Sequence, residues 1–222
     1  PPPPPPPPPL FFYNHTRESP MLRSLVGSEM CIRDRLGATT LTIAAGHSID
    51  ALRFVAGEFS QVSSVVSTQV AQWYETDTQK MLDVTAPDNI IVSGRLANGA
   101  VVSVHVASNP FAGSGYRLEI YGRKGTLVAT SEDSPQLGEV YLQGAQGNDE
   151  LKDIAVPDKH VNVLEGMPAG APRNVGQLYF QFGESIRGNA ADYPTFDTAV
   201  DLHRLIDNIR LASDKGQAVA TG

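Results

Sequence analysis

Apolar residues recur at helical spacing near the start of the chain, alternate with polar ones through its middle, and return to helical spacing at its end. Over residues 48–56, Ile49, Leu52, Val55 and Ala56 fall on one helical face, and Gly57 follows, free to take the left-handed conformation that closes a helix. Val62, Ser64, Val66, Thr68 and Val70 then alternate with Ser63, Val65, Ser67 and Gln69, which predicts a β-branched strand. Residues 90–96 and 100–108 form a hairpin around Ala97-Asn98-Gly99, where Asn-Gly can supply positive φ angles. Residues 116–121 and 126–130 repeat that arrangement around Gly122-Arg123-Lys124-Gly125, with later strands at 139–143 and 151–156. Gly166, Pro168, Gly170 and Pro172 mark residues 157–172 as a surface connection. Beyond it, Asn174 serves as the N-cap of a helix carrying Val175, Leu178, Tyr179, Phe182 and Ile186, with both aromatics in the core, and Gly188-Asn189 ends it. A last helix follows Thr195, places Ala199, Leu202, Leu205, Ile206, Ile209 and Ala212 inward, and stops at Gly216.

Consecutive hairpins make a largely antiparallel sheet, and amphipathic helices must bury their apolar stripes against it, so the fold class is α+β with helices on one face. The opposite face, bearing Arg95, Ser103, His105, Arg117 and Glu119, has no helix left to cover it and is the expected surface for a homo-oligomer. Gly113-x-Gly115 lies between strands and opens no helix, so no dinucleotide fingerprint is present. Any Rossmann domain is expected upstream.

Composition sharpens this picture at the N-terminus. Pro1 to Pro9 is a homopolymer, and residues 24–35 resemble one reading frame of an adapter used in transposase-based sequencing libraries. Residues 1–35 are therefore read as a non-native, disordered segment, and residues 36–222 as one α+β domain for substrate binding and oligomerisation. The 222-residue chain has a formal net charge of −7, no apolar run of membrane-spanning length and no Lys/Arg cluster, which argues against membrane and nucleic-acid partners. Cys31 is the single cysteine and lies in the discounted segment. A thiol-free acidic remainder suits the cytoplasm.

Candidate chemistry centres on His47, because imidazole titrates near neutrality and can take a proton from a hydroxyl. Asp50 stands close to one helical turn further on, where it can orient the ring or cap the helix. Arg173 and Asn174 open the penultimate helix, whose free N–H groups can hold a hydroxyl or an anion. Tyr116 can reach a pocket from its strand end or join the apolar face with Leu118 and Ile120. His105, His160 and His203 read as surface groups, no pair has metal-ligand spacing, and Asp77, Asp83 and Asp88 read as solvated.

Gly46-His47-Ser48-Ile49-Asp50 before an apolar helix ending in Gly57-Glu58, Tyr121-Gly122-Arg123-Lys124-Gly125-Thr126-Leu127, and the run from Pro194 through Phe196, Asp197, Leu205, Ile206 and Ser213 to Gly216 together resemble the glucose-fructose oxidoreductase, inositol dehydrogenase and rhizopine-catabolism (Gfo/Idh/MocA) superfamily. Leu41-Thr42-Ile43 and the Gly-Tyr-Arg strand are most similar to its branch containing the yeast galactose-regulon repressor. The resemblance implies the C-terminal domain of a protein whose missing N-terminal Rossmann domain binds NAD or NADP, so no cofactor residue falls in this chain. It implies oxidation of a sugar or polyol hydroxyl, with His47 paired to an Asp and assisted by a Lys of a Glu-Lys-Pro motif. The Lys lies outside the chain, and the Asp position is occupied by Ile43, so the dyad is incomplete. The alternative implied by the same branch is a catalytically inactive NAD(P)-sensing regulator that binds a protein partner. This fragment alone is expected to be inactive.

Overall fold

The computed structural model describes residues 37–75, 79–108, 113–189 and 191–222. The N-terminal segment read as non-native, Cys31 and Asp77 lie outside them. Leu41–Ala45 forms a π-helical turn that runs into helix α1 (Gly46–Ala56). Strands β1 (Phe59–Ser67), β2 (Gln72–Glu75), β3 (Lys80–Asp83), β4 (Asn89–Leu96) and β5 (Val101–Ala107) follow. β6 (Tyr116–Gly122), β7 (Gly125–Ser131), β8 (Tyr141–Gln146) and β9 (Lys152–Ile154) come next, then a 3₁₀ turn at Asp158–His160. Helices α2 (Ala171–Ile186) and α3 (Phe196–Lys215) and the short strand β10 (Val219–Ala220) complete the order. The fold class is α+β, as the periodicities imply.

The strands separate into a four-stranded sheet ordered β10-β1-β4-β5, a β2-β3 hairpin, and a second four-stranded sheet ordered β6-β7-β8-β9. Every pairing is antiparallel. In the first sheet, Val62, Ser64 and Val66 sit opposite Gly94, Val92 and Ile90, which in turn face Val102, Val104 and Val106, so one face is apolar. That face packs on Leu41, Ile49 and Leu52 of the first helical segment and on Leu205, Ile206, Ile209 and Ala212 of α3. Ser64 Oγ donates to the Ile209 carbonyl and Val66 N–H to Ser213 Oγ, which ties α3 across β1. Leu118 packs on the same core, and Arg117 and Glu119 point to the other face of the second sheet, which by register also carries Thr130, buried Val128, Tyr141, Gln143 and Asp153, so the single polar face expected for Arg95, Ser103, His105, Arg117 and Glu119 is divided between two sheets.

Several local expectations are corrected. The first strand stops at Ser67 rather than Val70, because the next N–H groups, of Gln69 and Val70, donate to the Asp88 carboxylate at 2.8 and 2.7 Å and leave the ladder. Asp88 itself is fully buried instead of solvated. At the first hairpin only Gly99 has positive φ, while the Asn98 side chain donates to the Ala56 carbonyl and so closes α1. Val55 faces out, and the buried fourth position of α1 is Arg53.

Helix α3 begins as predicted with a reciprocal capping box between Thr195 and Thr198, although Ala199 is exposed. Helix α2 departs most from expectation. It starts at Ala171, and Asn174 lies in its first turn, where its amide donates to the carbonyls of Pro135 and Gln136 instead of capping the helix. None of its residues is buried, and Val175, Leu178, Tyr179, Phe182 and Ile186 are all exposed, so its stripe meets no core among the described residues. Phe182 meets one partner ring, Tyr193, edge-on at 5.8 Å. Among the described residues no helix is long and apolar enough to cross a membrane.

Candidate functional site

His47 stands in the first turn of α1, directly after the π turn in which Ala45 N–H reaches the Thr40 carbonyl five residues back. A π turn adds one residue to the helical repeat. Buried Leu41, Ala45 and Ile49 fasten one side of this segment to the core, which leaves Ile43 and His47 exposed on the other. Thr40 Oγ1 donates to Ser108 Oγ at 3.1 Å and fixes the start of the π turn to the end of β5. The His47 imidazole has no hydrogen-bond or ionic partner among the described residues. It is an accessible proton acceptor and donor on a helix whose position the core determines.

Asp50 neither caps α1, which starts upstream, nor contacts His47. It faces Arg53, with 3.6 Å between Oδ1 and Nη1, while Arg53 also forks onto Glu58 with Nε to Oε2 at 2.7 Å and Nη2 to Oε1 at 2.9 Å. Arg53 is buried and both acids reach solvent, so the carboxylates anchor the guanidinium where α1 turns into β1.

Tyr116 shares the apolar side of its sheet with Leu118 and Ile120 and pairs with Ser131 on β7. Burial pushes its phenol above the ordinary tyrosine range, which keeps it protonated. Arg117 is engaged by Glu119 on the other face of that sheet, and Tyr121 donates to the same carboxylate. Hydrogen bonds from Arg117 and then Tyr121 hold Glu119 below its usual value.

Arg173 and Asn174 lie elsewhere, in a cleft of about 730 Å³ between β8, β9 and the start of α2. Glu139, Tyr141, Gln143, Asp153, His160 and Gln177 also line it, whereas His47, Asp50 and Tyr116 do not. The predicted site residues thus fall in three places: His47 and Asp50 on α1, Tyr116 on β6, and Arg173 and Asn174 at the cleft. Sequence reasoning missed the cleft residues because they come from β8, β9, the 3₁₀ turn and α2, and no spacing links them. His160, read as a surface group, is exposed as expected and borders the cleft.

The described residues do not fit a dinucleotide cofactor of the Rossmann kind. Such a site needs a strand, a Gly-rich turn and a helix N-terminus within a parallel βαβ unit. Every strand here pairs antiparallel, and Gly113-Ser114-Gly115 leads into β6. No group of three His, Cys, Asp or Glu side chains among the described residues could hold a metal ion.

The described residues thus form an α+β domain in which an exposed histidine stands on a helix fixed to the core. Residues 34–221 match the Gfo/Idh/MocA oxidoreductase family, C-terminal alpha/beta domain, and the chain belongs to that family. Levoglucosan dehydrogenase of Pseudarthrobacter phenanthrenivorans is 31% identical over 114 residues, covering 46% of this chain and 29% of that protein. An uncharacterized oxidoreductase of Synechocystis sp., sll0816, is 32% identical over 98 residues, covering 44% of this chain and 26% of that protein. Among solved structures, levoglucosan dehydrogenase in complex with NADH and levoglucosan aligns with a TM-score of 0.72 at 22% identity, over 88% of this chain and 54% of that one. A super-repressor mutant of Gal80p from Saccharomyces cerevisiae aligns with a TM-score of 0.69 at 19% identity, over 83% and 50%. At these identities the likeness shows the fold, and the chain spans about half the length of these solved relatives.

Proposed function

We propose that this chain is the substrate-facing and assembly domain of an NAD(P)-dependent oxidoreductase that acts on a sugar or polyol hydroxyl. The observation that carries the reading is His47, an exposed imidazole on a core-fixed helix in a chain of this family. In the proposed reaction His47 takes or returns the hydroxyl proton, while α1 and the Thr40–Ser108 bond hold its backbone in place. The dinucleotide is assigned to a further domain of the longer protein, in keeping with the chain's share of its relatives' length. The outer face of the first sheet, carrying Val65, Ile91, Ser103 and His105, is assigned to self-association. Residues 1–35 are read as foreign to the natural protein, and sequencing the locus across the junction before Leu36 tests this.

A second reading, a nicotinamide-sensing regulator without turnover, draws on one observation. Ile43, 46% exposed, occupies the position of the family Asp beside His47, so no carboxylate there orients the ring. Gal80p shares the fold.

The test is the parent protein expressed from the extended reading frame and assayed for NAD(P)⁺ reduction with levoglucosan, D-glucose and myo-inositol. Turnover is expected, and His47→Ala is expected to lower kcat/KM by about 10²- to 10⁴-fold with nicotinamide affinity unchanged. NADH binding without turnover of any probe would replace the enzyme reading with the regulatory one. An unimpaired His47→Ala enzyme would remove His47 from the chemistry.

A further inference from the structure

We infer that the cleft between β8, β9 and the first turn of α2 binds a neutral polyhydroxylated molecule of monosaccharide size, using Glu139, Tyr141, Gln143, Asp153, Arg173 and Gln177. Its volume, about 730 Å³, lies inside the roughly 300–1,000 Å³ span of small-molecule sites. Among the described residues, the hydrogen bonds these groups make leave a specific set of positions open. Tyr141 Oη donates to Glu139 Oε2 at 3.2 Å, so Glu139 keeps Oε1 as an acceptor. Gln143 Nε2 donates to Asp153 Oδ1 at 2.9 Å, which leaves Asp153 Oδ2 and Gln143 Oε1. Gln177 Oε1 accepts from the Asn162 N–H at 2.8 Å, so its Nε2 protons stay free. Arg173 spends only one donor, on the Met167 carbonyl at 3.3 Å.

The cleft therefore offers three open acceptors from β8, β9 and the segment before them, against open donors from α2. A hydroxyl both donates and accepts, so a polyol can bridge the two sides. Charge argues for a neutral ligand. A phosphate or carboxylate drawn to Arg173 meets Glu139 and Asp153, and an ammonium drawn to those acids meets Arg173. The Tyr141 ring is exposed and supplies an apolar surface for the C–H face of a sugar, with its phenol kept protonated by the hydrogen bond to Glu139. Residues of α1 do not line the cleft, so the inference stands on these groups and not on the reading of His47.

The experiment is a ligand-observed NMR titration of the 222-residue chain with myo-inositol and D-glucose, alongside glucose 6-phosphate and glucosamine. One neutral probe is expected to bind with a Kd of about 1–10 mM, at least tenfold tighter than the charged analogues. Arg173→Ala and the isosteric Glu139→Gln are each expected to weaken that binding about tenfold, while His47→Ala, which alters no group in the cleft, retains it. Absence of saturation by either neutral probe up to about 50 mM, equal affinity for a charged analogue, or loss with His47→Ala but not with the cleft variants would overturn the inference. The last outcome would move the sugar to α1 and leave the proposed function standing.

Discussion

Asp88 offers the sharpest test of how the central sheet is held. Its side chain is fully buried at the base of β4 and accepts from the N–H groups of Gln69 and Val70 and from the Asn89 amide at 3.0 Å. Burial alone would raise its pKa, but the hydrogen bonds from Gln69, Asn89 and Val70 outweigh that and hold the carboxyl below its ordinary value. Hydrogen bonds to a charged group contribute about 1.5–3 kcal/mol each, net of water. Asp88→Asn keeps the shape and one oxygen but turns an NH₂ toward one of the two backbone donors, so it is expected to cost about 1.5–3 kcal/mol. In a domain of this size that lowers Tm by roughly 3–12 °C. A depressed native pKa stabilises above the unfolded carboxyl value near 4, and this stabilisation is lost as pH falls through the native value. Urea midpoints measured between about pH 7 and pH 3 should therefore drop more steeply for the parent than for Asp88→Asn, by up to about 1.4 kcal/mol per pH unit where this proton is taken up. Equal midpoints at pH 7, or identical pH slopes, would refute the reasoning.

Three further substitutions probe separate parts of the fold. Gly125→Ala would drive its Cβ against the Ala145 carbonyl in the β7–β8 pair, and differential scanning calorimetry should show a loss on the order of 1–3 kcal/mol. Arg53→Met should cost under about 1 kcal/mol in urea unfolding, because Asp50 and Glu58 reach solvent and rehydrate, whereas Glu58→Ala leaves the buried guanidinium only Asp50 and should cost about 1–3 kcal/mol. Thr195→Ala removes the capping box of α3 and should cost about 0.5–2 kcal/mol, read as a lower urea midpoint with an unchanged slope.

The most regular segments were legible in sequence because their signals are local. The hairpins around Asn98-Gly99 and Gly122–Gly125 and the Thr195 cap depend on residues within a few positions of one another, and the structure places them as the spacing implies. The burial of Asp88 was not legible, since its partners stand 18 and 19 residues earlier and meet it only because the chain returns through the β2-β3 hairpin before β4 pairs with β1. Asn174 illustrates the same limit. Its residue type suits an N-cap, but the 135–138 loop claims its amide and the helix begins four residues sooner, after Gly170.

Periodicity told which helix faces are apolar but not what covers them. The stripes of α1 and α3 meet the β1-β4-β5 sheet, while an equally regular stripe on α2 meets no core among the described residues. For the candidate sites, local spacing was enough to put an imidazole at the entry to a short helix, inside a motif that resembles the family's. Tertiary structure alone decided that Asp50 serves Arg53, that Tyr116 belongs to an apolar sheet face, and that Arg173 shares a cleft with β8 and β9. The physical reason is range. Hydrophobic periodicity and turn chemistry act over a few residues, whereas a side chain's partner depends on which distant strand the packed core sets beside it.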